Sequence, residues 1–165
     1  FPKKQLTLDP YLVGILIGDG SLSGSGSIEL SLGKNKEHIL DKIKLPEGMS
    51  TSISYVDDKN YFRVKITGRS LKDDKLMKEM LSEIGLFGTI SSNKFIPKEY
   101  LYSSLEDRKA LLQGLLDTDG HVNKRNRFEF STISENLKND FLELCRGLGI
   151  QTLDKKMQRK EQIKT

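Results

Sequence analysis

The chain has a single cysteine, Cys145, among 165 residues, and no apolar run near the roughly 20 residues needed to cross a bilayer. One cysteine excludes an internal disulfide and fits a reducing setting. The N-terminus has neither an initiator Met nor the apolar core of a signal peptide. These absences predict an intracellular protein of the cytoplasm or nucleoid, with no membrane partner, and a chain excised from a longer one.

The composition is that of an ordinary globular protein, with 36% hydrophobic and 30% charged residues. The length allows one buried core or two small fused halves. A net charge of +4 and an isoelectric point near 9.0 are compatible with binding to a polyanion, but equally with a basic solvated surface.

An internal repeat organises the chain. Residues 12–20 (LVGILIGDG) correspond to residues 112–120 (LQGLLDTDG), and residues 28–31 (IELS) correspond to 128–131 (FEFS). Both matches share an offset of 100 residues, which chance hardly explains. The sequence therefore predicts two copies of one unit, with a first half at 1–87, a linker at 88–104 and a second half at 105–165.

Apolar periodicity predicts a mixed helix-and-strand order in each copy. In the first copy we expect helices at 12–19, 36–44 and 71–84, and strands at 27–32, 51–56 and 61–67. Gly20 is expected to close the first helix in the left-handed conformation. In the second copy we expect helices at 105–119 and 135–148, and strands at 127–132 and 151–157. The second copy then lacks a last strand and helix, so a further segment or chain is expected to complete it.

Small residues four apart mark one face of each repeated helix: Gly14 with Gly18, and Gly114 with Thr118. Such a face lets two helix backbones approach closely. Ordinary packing explains either helix alone, but the duplication favours contact between the two.

An aspartate ends each of these helices, Asp19 in the first and Asp119 in the second. A carboxylate is disfavoured at a helix C-terminus, and two converging carboxylates repel each other unless a cation intervenes. Capping Asp-Gly turns explain one such site, and explain two less well. The pattern favours a site for Mg²⁺ or another hard divalent cation such as Mn²⁺.

The two motifs resemble the LAGLIDADG homing endonucleases, specifically single-chain, intein-type members with two motifs. The second motif matches best, through Leu112, Gly114, Leu115, Asp117, Asp119 and Gly120; the first has Ile17 where an acidic residue often stands. The resemblance implies an α+β fold of two pseudo-symmetric αββαββα halves. It implies catalytic, metal-binding roles for Asp19 and Asp119, with the carbonyls of Gly18 and Thr118 as auxiliary ligands.

The resemblance also implies a catalytic role for Lys94, which precedes an Ile96-Pro97 pair. The alternative is a solvated loop lysine. A counterpart of Lys94 would lie near position 194, outside the given sequence, so we expect one of two active sites to be without a matching lysine and to cut its strand more slowly.

Polar strand faces supply the expected DNA contacts. Alternation alone indicates only a solvated side of a sheet, but the resemblance implies two sheets that lie along the major groove. The candidate residues are Glu29, Ser31, Tyr61, Arg63, Lys65, Arg125, Arg127, Glu129, Ser131, Lys155 and Lys156.

The predicted function is metal-dependent double-strand cleavage of a long DNA site by a monomeric pseudo-dimer. No terminal splicing residues are visible, so we expect an endonuclease domain without a splicing domain. The alternative is a non-cleaving relative that acts as an intron-RNA maturase or a DNA-binding regulator.

Overall fold

A computed structural model describes residues 1–24 and 26–155 of the chain. Its helices and strands alternate along the sequence. In chain order they are α1 (Pro10–Asp19), β1 (Gly20–Ser21), β2 (Ile28–Gly33), a 3₁₀ helix (Lys34–Lys42), β3 (Met49–Val56), a 3₁₀ turn (Asp57–Lys59), β4 (Tyr61–Gly68), α2 (Leu71–Glu83), α3 (Lys98–Leu101), α4 (Leu105–Asp119), β5 (Gly120–Val122), β6 (Phe128–Phe130) and α5 (Glu135–Gly147).

Helix α1 lies in the centre of the molecule. Asp9 caps it, accepting hydrogen bonds from the backbone N–H groups of Tyr11 at 3.0 Å and Leu12 at 3.1 Å. Every residue from Tyr11 to Ile17 is buried. A helix that is apolar around its whole circumference has neighbours on all sides. Helix α4 packs along it, and β2 contacts it as well.

The larger sheet is antiparallel, with strand order β1-β2-β4-β3. Its inner face is apolar because side chains alternate along each strand, and Ile28, Leu30 and Leu32 of β2 are all buried. Helix α2 packs against β4. The core thus forms between α1, the sheet and α2, and it continues into α4 and α5.

The smaller sheet is antiparallel too and consists of β5 and β6. In the first sheet Gly20 pairs with Leu30 and Ser21 with Glu29. In the second, Gly120 pairs with Phe130 and His121 with Glu129. The two registers are the same at an offset of 100 residues.

The structure confirms the α+β class and most element positions. Three local expectations were wrong. The segment after β2 is a 3₁₀ helix interrupted at Lys36 rather than an α-helix. Gly20 is extended (φ −81°, ψ 137°), as is Gly120, since each continues directly into a strand. Residues 151–155 form no strand; the rest of the strand predicted at 151–157 lies outside the described residues.

Among the described residues, no helix combines the length and apolarity needed to cross a bilayer.

Candidate functional site

The backbones of α1 and α4 touch at Gly14 and Gly114. A Cβ atom at Gly14 would lie 2.5 Å from the carbonyl oxygen of Leu111, and one at Gly114 would lie 2.5 Å from the carbonyl oxygen of Tyr11. The two contacts are reciprocal at the 100-residue offset. Any side chain at either position would drive the helices apart, so glycine is needed for this packing.

One turn further on, Gly18 faces Thr118. A Cβ atom at Gly18 would lie 2.0 Å from Oγ1 of Thr118. That hydroxyl donates to the carbonyl of Gly114 at 2.9 Å in its own helix, so it is satisfied although buried. The close packing continues to the C-terminal ends of both helices and brings those ends together.

Asp19 and Asp119 are the last residues of the two helices. Burial raises the pKa of Asp119, and the nearby negative charge of Asp19 raises it further. Lys94 and Lys36 act in the opposite direction on the same pKa. The carboxylates therefore influence each other electrostatically and share two lysines, as expected for a site that attracts cations.

Lys94 lies beneath the end of α1 and is 5% exposed. Its ammonium group donates to the backbone carbonyls of Leu16 at 3.3 Å, Gly18 at 3.1 Å and Gly20 at 2.9 Å. Burial lowers the pKa of Lys94, whereas Asp119 and Asp19 work to raise it. The solvated-loop alternative is thus wrong: this lysine satisfies carbonyls at the negative end of a helix.

A second lysine, Lys36, was missed by the sequence analysis. Its ammonium group lies 3.0 Å from Oδ2 of Asp19 and also donates to the carbonyl of Thr118. The expectation that one of two active sites is without a matching lysine stays a prediction, since the counterpart of Lys94 would lie near position 194, outside the given sequence. Lys36 places a second ammonium group against the helix ends. The repeat carries no sign of Lys36, since Asn136 stands 100 residues later.

The oxygens at the helix ends suit a hard divalent cation. They comprise the carboxylates of Asp19 and Asp119 and the carbonyls of Gly18 and Thr118, the oxygen type that Mg²⁺ prefers. The ammonium groups of Lys36 and Lys94 donate hydrogen bonds to oxygens of three of these four residues. Positive charge therefore already lies against these candidate ligand oxygens. Within residues 1–24 and 26–155, no three acidic, His or Cys side chains form a metal-binding group; water or phosphate oxygens would complete the coordination.

Asp117 of α4 contacts side chains of α1 and of the 3₁₀ helix Lys34–Lys42. It accepts from Tyr11 Oη at 2.8 Å and from Lys42 Nζ at 3.0 Å, with His38 at 3.9 Å. Burial and the hydrogen bond to Asp117 raise the pKa of Tyr11. These contacts tie the 3₁₀ helix to both long helices and give Asp117 a structural role.

The predicted polar face of the first sheet is continuous. Glu29 lies opposite Lys65, with 3.5 Å between their charged groups, and 3.9 Å from Arg63. Arg63 also donates to Tyr61 Oη at 3.2 Å and pairs across the ladder with Ser31. Strand β3 adds two serines to this face that the sequence analysis missed; they pair with Lys65 and Arg63 and are Ser52 and Ser54.

The second sheet has a smaller polar face. Glu129 lies 3.0 Å from His121 Nε2, and the hydrogen bond from Asn123, followed by the His121 charge, lowers the pKa of Glu129. The predicted contacts around it are all exposed: Arg125, Arg127, Glu129, Ser131 and Lys155. Lys156 lies outside the described residues.

Part of the chain matches a protein family, and the chain is similar to segments of two curated proteins. Residues 106–165 match the LAGLIDADG-like domain family. The chain is 30% identical over 148 residues to the replicative DNA helicase DnaB of Mycobacterium intracellulare, a match that covers 90% of this chain and 20% of the helicase. It is 29% identical over 102 residues to a DNA polymerase of Thermococcus litoralis, covering 62% of this chain and 6% of the polymerase. The chain thus spans a fifth or less of these curated relatives.

Proposed function

We propose that the chain is a site-specific, divalent-metal-dependent DNA endonuclease of the LAGLIDADG homing type. The observation that carries the proposal is the convergence of Asp19 and Asp119 at one end of a glycine-packed helix pair. The match of residues 106–165 to the LAGLIDADG-like domain family supports it.

In this proposal the two aspartates, with the carbonyls of Gly18 and Thr118, hold Mg²⁺ or Mn²⁺. When bound, the cation supplies charge stabilisation at a phosphate and a water of lowered pKa. The packed helices fix the carboxylates. Lys94 neutralises the C-terminal end of α1 and keeps positive charge beside both aspartates; its catalytic role stays a prediction.

The DNA would lie across the polar faces of two sheets, in two pseudo-symmetric halves of a monomer. The identical registers of β1–β2 and β5–β6 at the 100-residue offset support that arrangement. Arg63 and Lys65 offer donors suited to phosphates and guanine edges. Glu29 orients both.

We further propose that the chain derives from an inserted mobile element of the intein or intron kind. A helicase and a polymerase are different enzymes, yet each matches this chain over a small fraction of its own length. One module present within two unrelated proteins is what insertion would produce.

The test is cleavage-site selection from a random DNA library with Mg²⁺ and then Mn²⁺. DNA that contains the selected site is then incubated with the wild type, Asp19→Asn, Asp119→Asn and a control variant, Asp41→Asn. The control changes an exposed aspartate of the 3₁₀ helix. We expect both motif variants to bind the DNA and not to cut both strands, because an amide is a poor ligand for a hard cation.

Double-strand cleavage at the wild-type rate by either motif variant would contradict the assignment. DNA binding without cleavage by the wild type would favour a regulator, and splicing of an intron RNA with Mg²⁺ would favour a maturase.

A further inference from the structure

The ammonium group of Lys36 bridges the two motif helices. One of its contacts is the carboxylate of Asp19, at the end of α1, and the other is the carbonyl of Thr118, at the end of α4. An anionic oxygen and a carbonyl oxygen that converge on one positive centre are the donors that a hard cation takes. Lys36 therefore occupies a position in which a divalent cation would bind.

We propose that Lys36 is an internal competitor of the divalent cation, bound to the oxygens of Asp19 and Thr118 until the cation displaces it. The inference rests on the proposed function, since it takes these oxygens as metal ligands. It assigns to Lys36 a positioning role: without metal, the lysine neutralises Asp19 and keeps the helix ends together.

Burial distinguishes Lys36 from Lys94. The Lys94 ammonium makes three carbonyl hydrogen bonds and its residue is 5% exposed. The Lys36 side chain is 24% exposed and makes two contacts. A lysine with a solvent-accessible stem leaves by rotating its side chain, whereas a buried one loses its partners and gains no water.

The local backbone also separates the two lysines. Lys36 interrupts its 3₁₀ helix, with φ −105° and ψ 15°. The segment that carries it is attached to the helix pair independently, through Lys42 and His38 at Asp117. Release of Lys36 therefore leaves that attachment intact, and metal binding is expected to displace one lysine and retain the other.

The first test is calorimetric titration of the whole chain with Ca²⁺, in the wild type, Lys36→Met, Lys34→Met and Asp19→Asn. Lys34→Met is the matched control because it removes the same charge from the same segment. The Lys34 ammonium lies against a different group, 5.9 Å from the ring centre of Tyr55. Loss of a competing charge in direct contact should tighten Ca²⁺ binding about tenfold, and loss of the more distant, screened charge less than about twofold.

The second test needs no variant, so it does not depend on how Lys36→Met folds. Wild-type protein is acetylated with an amine-reactive ester, with and without saturating Ca²⁺, and each lysine is quantified by mass spectrometry. We expect acetylation of Lys36 to rise several-fold with Ca²⁺, and Lys94 to stay unreactive in both states. Unchanged or falling acetylation of Lys36 would overturn the inference.

The outcomes separate the inference from the function on which it rests. Ca²⁺ binding that Asp19→Asn weakens, but that is equally tight in the wild type and Lys36→Met, would overturn the role of Lys36 alone. No binding in either protein would overturn the proposed metal site and the inference together. Ca²⁺ binding in the wild type that becomes tighter in Lys36→Met, and is unchanged in Lys34→Met, would support displacement most directly.

Discussion

The two sheets have the same register but different surroundings. Ile28 of β2 is 2% exposed, and Phe128, at the equivalent position in β6, is 72% exposed. Leu22 is 1% exposed, whereas its equivalent Val122 is 54% exposed. In the first sheet β4 pairs with β2 and α2 packs behind it. Within the described residues, β6 has β5 as its only paired strand.

The comparison separates two uses of one repeated sequence. Where the two motif helices meet, at Gly14 and Gly114, the environments of the two glycines are reciprocal and equally tight. At equivalent positions of the two sheets, the exposure of a side chain depends on what covers it. The exposed apolar side chains of Val122 and Phe128 thus form a surface that a further strand could cover. An unpaired strand edge favours such pairing in the same way.

The largest expected effect tests the reciprocal contact. Gly14→Val and Gly114→Val should each destabilise the protein by at least about 4 kcal/mol, because the new side chain meets a backbone carbonyl that cannot move aside. Chemical denaturation measures the loss. Gly26→Val is the control, since a Cβ there meets nothing within 4 Å. A large effect in one helix and a small one in the other would refute the equivalence.

The next prediction tests the unequal covering. Ile28→Ala should cost about 3 kcal/mol because it leaves a cavity in a closed core. Phe128→Ala should change the free energy of unfolding by less than about 0.5 kcal/mol, because its ring is already in solvent. The same denaturation experiment compares them. Equal losses would mean that β6 is covered in solution, and a concentration-dependent mass by light scattering would then identify a second copy as the cover.

A smaller effect is expected at the two polar faces. Affinity for DNA should fall steeply with salt, because bound phosphates release counterions. Arg63→Ala and Lys65→Ala should each reduce the slope of log K against log salt by about 1 if they contact phosphates. Arg125→Ala and Arg127→Ala provide the comparison from the second sheet. A flat salt dependence in the wild type would contradict a sheet surface bound along DNA.

Features local to the repeat could be predicted from sequence, and features that depend on tertiary placement could not. Gly14, Gly114 and the two aspartates could be identified because they recur at the 100-residue offset of the repeat. The contact of Lys36 with Asp19 and Thr118 depends on the 3₁₀ helix Lys34–Lys42, a segment that was wrongly predicted to be an α-helix. Lys94 was found through a resemblance, but its three carbonyl partners lie 74 to 78 residues away in the chain.

A small effect on stability is predicted for the two aspartates in the absence of metal. Asp119→Asn should stabilise the metal-free protein by roughly 0.3–1 kcal/mol at neutral pH, since it removes a carboxylate from a helix C-terminus. Asp19→Asn should gain less, because it also removes the ion pair with Lys36. Thermal unfolding in EDTA measures both.

The pH dependence follows from the raised pKa of Asp119. When a carboxyl group binds its proton more tightly in the folded state than in the unfolded state, the free energy of unfolding falls as pH rises from the ordinary pKa through the raised one. Asp119→Asn has no such group, so its advantage over the wild type should be present above the raised pKa and should vanish as pH falls below the ordinary carboxyl range. Ile28→Ala carries no ionisable change and should differ from the wild type by a constant amount over the same pH range. An advantage of Asp119→Asn that grew towards acid pH would mean that Asp119 is stabilised as a carboxylate, and that the lysines beside it outweigh its burial.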